Sequence, residues 1–115
     1  MPRGTVLVVD DEAGIRESLG EALRDEGYAV VEAANGKEAL DLIPGLARPC
    51  VVILDIIMPV MSGNQVYAAM QTDPKLANIP VLVSTSDPAR APAGALLMKK
   101  PINLPRLLEA VARLL

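Results

Sequence analysis

The sequence predicts an α/β fold in which a parallel sheet is covered by helices on both faces, built as one domain over residues 1–115. Three observations predict it. Short apolar runs rich in Val, Ile and Leu recur along the chain, too short for buried helices and suited to strands buried on both sides. Most of the segments between them carry apolar residues at helical spacing, so strands alternate with the crossovers that parallel pairing requires. The length of 115 residues, with 51% hydrophobic, suits a single core.

Thr5 to Val9 forms the first run and stops at Asp10 and Asp11, which reads as a buried strand with acids at its C-terminal end. A helix follows, for which Asp11 is the expected cap; Ile15, Leu19, Ala22 and Leu23 recur at helical spacing and Gly27 marks the stop. Tyr28 to Ala33 reads as a second strand, Asn35-Gly36 as a turn, and Lys37 to Ile43 as a short helix closed by Pro44-Gly45. Val51 to Leu54 is a third buried run ending on Asp55. A loop through Pro59 and Gly63 then leads to a helix from about Asn64 to Gln71, broken by Asp73-Pro74. Val81 to Val83 follows Pro80 and precedes the hydroxyl cluster Ser84, Thr85 and Ser86, and Leu96 to Met98 is a brief fifth run. Leu104, Leu107, Leu108, Val111, Leu114 and Leu115 form the apolar stripe of a terminal amphipathic helix, with Pro105 in its first turn, where proline is tolerated.

Composition removes several function classes. Aromatic residues are 2% of the chain, with no Phe or Trp, so Leu, Val, Ile, Ala and Met must fill the core; Met58, Met61, Met70 and Met98 are read as fillers. The net charge is -3 and the 11 basic residues are scattered, which argues against direct nucleic-acid binding. Histidine is absent, which excludes His-based metal sites and Ser-His-Asp triads, and the single Cys50 reads as a small buried apolar group. The N-terminal apolar run is too short for a signal peptide or a membrane span, so the expected location is the cytoplasm without membrane insertion.

In open parallel sheets the ligand crevice lies beyond the C-terminal strand ends. Those ends carry Asp10 and Asp11 after the first run, Asp55 after the third, Thr85 after the fourth and Lys100 after the fifth. Each admits a plain reading as a cap, a strand end or a solvated lysine, but together they form one constellation. Three carboxylates drawn together repel one another, and a hard divalent cation such as Mg²⁺ is the usual compensation. A lysine and a hydroxyl beside it can neutralise and hydrogen-bond phosphoryl oxygens, and an aspartate can be the covalent acceptor.

In these residues the chain resembles the receiver domains of two-component response regulators, the CheY-like family, over nearly its whole length. The matching pieces are Val8-Val9-Asp10-Asp11-Glu12, Asn35-Gly36 with Glu38-Ala39-Leu40, Asp55 with Met58-Pro59 and Gly63, Pro80-Val81 with Thr85, and Lys100-Pro101. The resemblance implies a doubly wound, flavodoxin-like domain whose five strands lie in the order 2-1-3-4-5. It implies Asp55 as phosphoacceptor, Lys100 as the contact to phosphoryl oxygens and Thr85 as the switch hydroxyl. It also implies a Mg²⁺ site of Asp10, Asp11, Asp55 and the Ile57 backbone carbonyl, with Asp11 the more direct ligand, and a cis Lys100-Pro101 bond. The implied partners are a histidine kinase or phosphotransfer protein and a downstream protein. The chain would then be a phosphorylation-dependent switch that catalyses only its own phosphoryl transfer and autodephosphorylation, not an enzyme acting on others.

Two departures stand out. Between Thr85 and Lys100 the chain is shorter than a typical receiver by about two helical turns and holds Pro88, Pro92 and Gly94, so the family's fourth helix is expected to be shortened or absent. Leu97 stands where receivers usually carry a switch aromatic. Readout is therefore expected through the loops around Ser84 to Gly94 or through the first helix. The alternative function is a phosphorylation-independent, receiver-like interaction module. A phosphatase or other hydrolase is disfavoured, because Ile56 and Ile57 stand where a general acid is wanted.

Overall fold

The computed structural model describes residues 2–115. Five strands, β1 (Thr5–Val9), β2 (Ala29–Ala33), β3 (Cys50–Asp55), β4 (Val81–Thr85) and β5 (Leu96–Lys99), alternate with four helices, α1 (Ala13–Asp25), α2 (Gly36–Leu42), α3 (Gly63–Thr72) and α4 (Leu104–Leu114). The strands form one sheet in the order β2-β1-β3-β4-β5, every neighbouring pair parallel.

Alternation along each strand divides the core in two. Val6, Val8, Val51, Ile53 and Leu82 point to one face and pack with Leu19 and Leu23 of α1 and Leu107 and Val111 of α4. Leu7, Val9, Val52, Leu54, Val81 and Val83 point to the other and pack with Ala39 of α2 and Val66 and Met70 of α3. β1, β3 and β4 are buried throughout, as strands covered on both faces must be. Side-chain caps start the later helices: Asn35 accepts from the Glu38 amide, Ser62 and Gln65 form a reciprocal capping box, and Asn103 accepts from the Arg106 amide.

The family's fourth helix is absent, in line with the expectation that it is shortened or missing: the β4–β5 connection holds only a 3₁₀ turn at Pro88–Arg90. Asp11 does not cap α1. Its N-cap is Glu12, without a side-chain cap bond, and it is Asp10, not Asp11, that folds back toward the helix start, its Oδ1 accepting from the Glu12 amide at 2.9 Å. Tyr28 falls outside β2, since its amide donates to Leu23 O at the end of α1. The Lys100-Pro101 peptide is cis, as the resemblance implied, and so is Arg48-Pro49.

Gly63 sets how closely α3 approaches the end of β3. Its amide donates to Ile56 O at 2.9 Å, and a Cβ there would lie 2.8 Å from Ile56 Cα and 2.9 Å from the Asp55 carbonyl carbon. These are backbone atoms that cannot swing aside. Gly63→Ala is expected to lower stability by about 2–3 kcal/mol in denaturant unfolding, and an unchanged midpoint would contradict the close approach.

Candidate functional site

The C-terminal ends of β1 and β3 bring Asp10 and Asp55 side by side, because Val9 of β1 is in register with Leu54 of β3. Both acids are buried, at 2% and 5% exposure. Asp11, one residue on, is exposed, yet carboxylate oxygens of Asp10, Asp11 and Asp55 lie within 4.8 Å of one another. Lys100 enters from the segment after β5, its amide donating to Thr85 O at 2.8 Å. Its Nζ stands 3.0 Å from Asp10 Oδ2 and 3.4 Å from Asp55 Oδ1.

Desolvation dominates the electrostatics. Burial first, and the charge of Asp10 second, push the Asp55 carboxyl up to about 6, against the pull of Lys100 and the Ile57 amide. Burial works to lower the Lys100 pKa, but the hydrogen bond to Asp10 and the charges of Asp55 and Asp10 outweigh it and the net shift is upward. The lysine therefore stays protonated while the acid beside it titrates close to neutrality.

Thr85 is buried at the end of β4, with Asp55 paired to the preceding Ser84. Its Oγ1 is turned to its own loop, accepting from the Asp87 amide at 3.1 Å and donating to Asp87 O at 3.3 Å. Ile57 follows two residues after Asp55, its side chain 47% exposed. Asp10, Asp11, Asp55 and Lys100 thus gather at one end of the sheet, while the Thr85 hydroxyl faces its own loop. Sequence reading missed the Glu12 amide as a ligand of Asp10, and missed Arg16, whose Nη1 donates to the Asp10 carbonyl at 2.8 Å. A charged Glu32 inside the otherwise apolar β2 was the available signal for the second.

The donor set fits Mg²⁺: all the grouped side-chain atoms are hard carboxylate oxygens, with no thiolate or imidazole among them. Among the described residues, no helix is long and apolar enough to cross a membrane.

Residues 6–112 match the family model described as the response regulator receiver domain, and the chain belongs to that family, whose members serve two-component signalling. Response regulator MprA of Mycolicibacterium vanbaalenii is 42% identical over 81 residues, covering 70% of this chain and 34% of its own length. The chain thus spans about a third of the first curated relatives it matches. Polar-differentiation response regulator DivK of Brucella anthropi is 31% identical over 118 residues, covering 96% of this chain and 94% of its own. Among solved structures, response regulator TrrA of Thermotoga maritima in complex with Mg(2+)-BeF superposes with a TM-score of 0.85 at 35% identity, covering 97% of this chain and 99% of its own.

The raised Asp55 pKa makes a prediction about stability. The folded state holds this proton up to about pH 6 whereas an unfolded Asp releases it near 3.8, so stability from this group is present at low pH and is lost as pH rises between those values. Without divalent cations, Asp55→Asn is therefore expected to exceed wild type by ~1–2 kcal/mol at pH 7.5 after allowance for solvent screening. The gap should close by about pH 4. Thermal unfolding of both proteins in chelator across this range measures it, and a gap independent of pH would refute the shift.

Proposed function

We propose that residues 1–115 act as one receiver domain, a cytoplasmic phosphorylation switch in which Asp55 accepts a phosphoryl group from a histidine kinase or phosphotransfer protein in a Mg²⁺-dependent reaction. The observation that carries this reading is Lys100 Nζ bridging two buried carboxylates, 3.0 Å from Asp10 and 3.4 Å from Asp55. Burying two acids and a lysine costs stability. Such an arrangement is explained by a reaction that delivers negative charge to that point.

An ionised Asp55 oxygen attacks phosphorus; the new O–P bond forms as the bond from phosphorus to the donor's imidazole nitrogen breaks, and that nitrogen keeps the electron pair. Its pKa of about 6 leaves Asp55 mostly ionised at neutral pH and able to attack. The phosphoryl oxygens then compete for the Lys100 ammonium, drawing it from its resting partners. The Thr85 hydroxyl exchanges its long 3.3 Å bond to Asp87 O for a phosphoryl oxygen, which frees the loop that follows. Asp11, Asp55 and the Ile57 carbonyl, with Asp10 behind them, would hold Mg²⁺, which when bound offsets the charge shared between carboxylates and phosphoryl oxygens. The Mg(2+)-BeF complex of TrrA, at 35% identity, supports this ligand class. The donor would approach along the open cavity of about 780 Å³ beside Lys100, whose walls include Ile15 and Leu19 of α1 and Pro101 and Ile102 after β5.

Intact-mass analysis after incubation with a small phosphodonor and Mg²⁺ tests the reading: wild type is expected to gain one phosphoryl group and Asp55→Asn none. No gain in folded wild type would leave the interaction module as the better account. Ile57, bulky and half exposed beside the acceptor, is expected to hinder the hydrolytic water. Phosphoryl decay should therefore be faster in Ile57→Asn, by roughly a few-fold as for a modest loss of barrier, and an unchanged decay rate would remove that role.

A further inference from the structure

On the outer side of the site lies a charged cluster that the proposed chemistry does not use. Glu32, the one charged residue of β2, accepts from Arg24 Nη2 at 3.1 Å and pairs with Arg16 Nε at 3.4 Å. Arg16 and Glu32 are 17% and 24% exposed, so this pair is largely withdrawn from water, while Arg24 lies on the rim. Gly20 of α1 leaves room for the crossing: a Cβ there would stand 3.3 Å from both Arg24 Nη1 and Glu32 Oε2, a contact tight enough that these side-chain ends would have to shift. Glycine weakens a helix interior, and this one lies where the carboxylate passes the helix.

The far end of Arg16 touches the site. Its Nη1 donates at 2.8 Å to the carbonyl of Asp10, which belongs to the planar peptide joining Asp10 to Asp11. Fixing that plane fixes the line of the Asp11 N–Cα bond, so that rotation about φ is the one backbone freedom left to the direction in which the Asp11 side chain departs. Asp10 does not need this help, because Lys100 and the Glu12 amide already hold its carboxylate. Asp11 is exposed, and what aims it is the backbone it stands on.

We propose that Arg16, clipped by Glu32, is a positioning residue that aims Asp11 for Mg²⁺. The inference rests on the Mg²⁺ reading above. Charge alone and positioning predict opposite signs here. A guanidinium beside three carboxylates repels a divalent cation, so by charge its removal tightens Mg²⁺ binding. By positioning, its removal loosens it.

Calorimetric Mg²⁺ titration of the full chain at fixed ionic strength separates the two, with the unfolding midpoint in chelator recorded for each variant. Arg16→Met is expected to weaken Mg²⁺ binding roughly tenfold, in the range seen when outer-shell partners of metal ligands are removed. Arg16→Lys, which keeps a donor for the Asp10 carbonyl, is expected to restore most of the loss. Adding Glu32→Gln to Arg16→Met should weaken binding no further, since Glu32 acts through Arg16. If Arg16→Met does not fold, Arg16→Leu, which likewise removes both charge and donor, carries the same comparison. Wild type that binds Mg²⁺ while the folded Arg16 variant binds it equally or more tightly overturns the inference alone. Wild type that takes up no Mg²⁺ overturns the reading of the site and the inference with it.

Discussion

Two carboxylates buried side by side repel one another, and the cation that stands between them here is Lys100. It lies 90 positions from Asp10 in sequence. The contact therefore exists only when β1, β3, β4 and β5 are all in place and in register, because each supplies or aligns one of the groups. A slip of one residue in any of these strands would turn its side chains to the opposite face. Fold and site are thus one constraint: the sheet's parallel register is what turns scattered charges into a cluster.

The same packing governs the approach of the loops. Gly63 lets the start of α3 rest against the backbone at the end of β3, which keeps the loop between Asp55 and Gly63 tight. On the opposite side, Arg16 reaches from α1 to the Asp10 carbonyl while Glu32 holds it from β2. Rigid elements on both flanks leave the polar groups little freedom, the preorganisation that charge stabilisation requires.

Much of this was legible in the sequence. Strands buried on both faces read as short continuous apolar runs, and Asp10, Asp55 and Thr85 could be found because each ends such a run. The missing helix was legible too, since Pro88, Pro92 and Gly94 leave no uninterrupted helical stretch between β4 and β5. Side-chain direction was not. Asp11 and Asp10 are equivalent as capping residues by type, and only the turn at the end of β1 decides that Asp10 folds back on the Glu12 amide. The alliance of Arg16 with Glu32 was hidden for a similar reason: helix and strand periodicities place each residue on a face, but not in contact across two elements.

The β4–β5 connection has a mechanical consequence. Residues 86–95 must leave the end of β4, return along the sheet and enter β5 with Leu82 beside Leu96. Ten residues span at most about 35 Å, and the 3₁₀ turn and the packing of Ala91 and Ala95 against the core shorten the usable contour. Asn64 of α3 also ties the Arg90 carbonyl at 2.9 Å. So short and tethered a strap has little slack, and it holds β5, with the exposed Leu96 and Leu97, to the end of β4 with less play than a longer connection would allow.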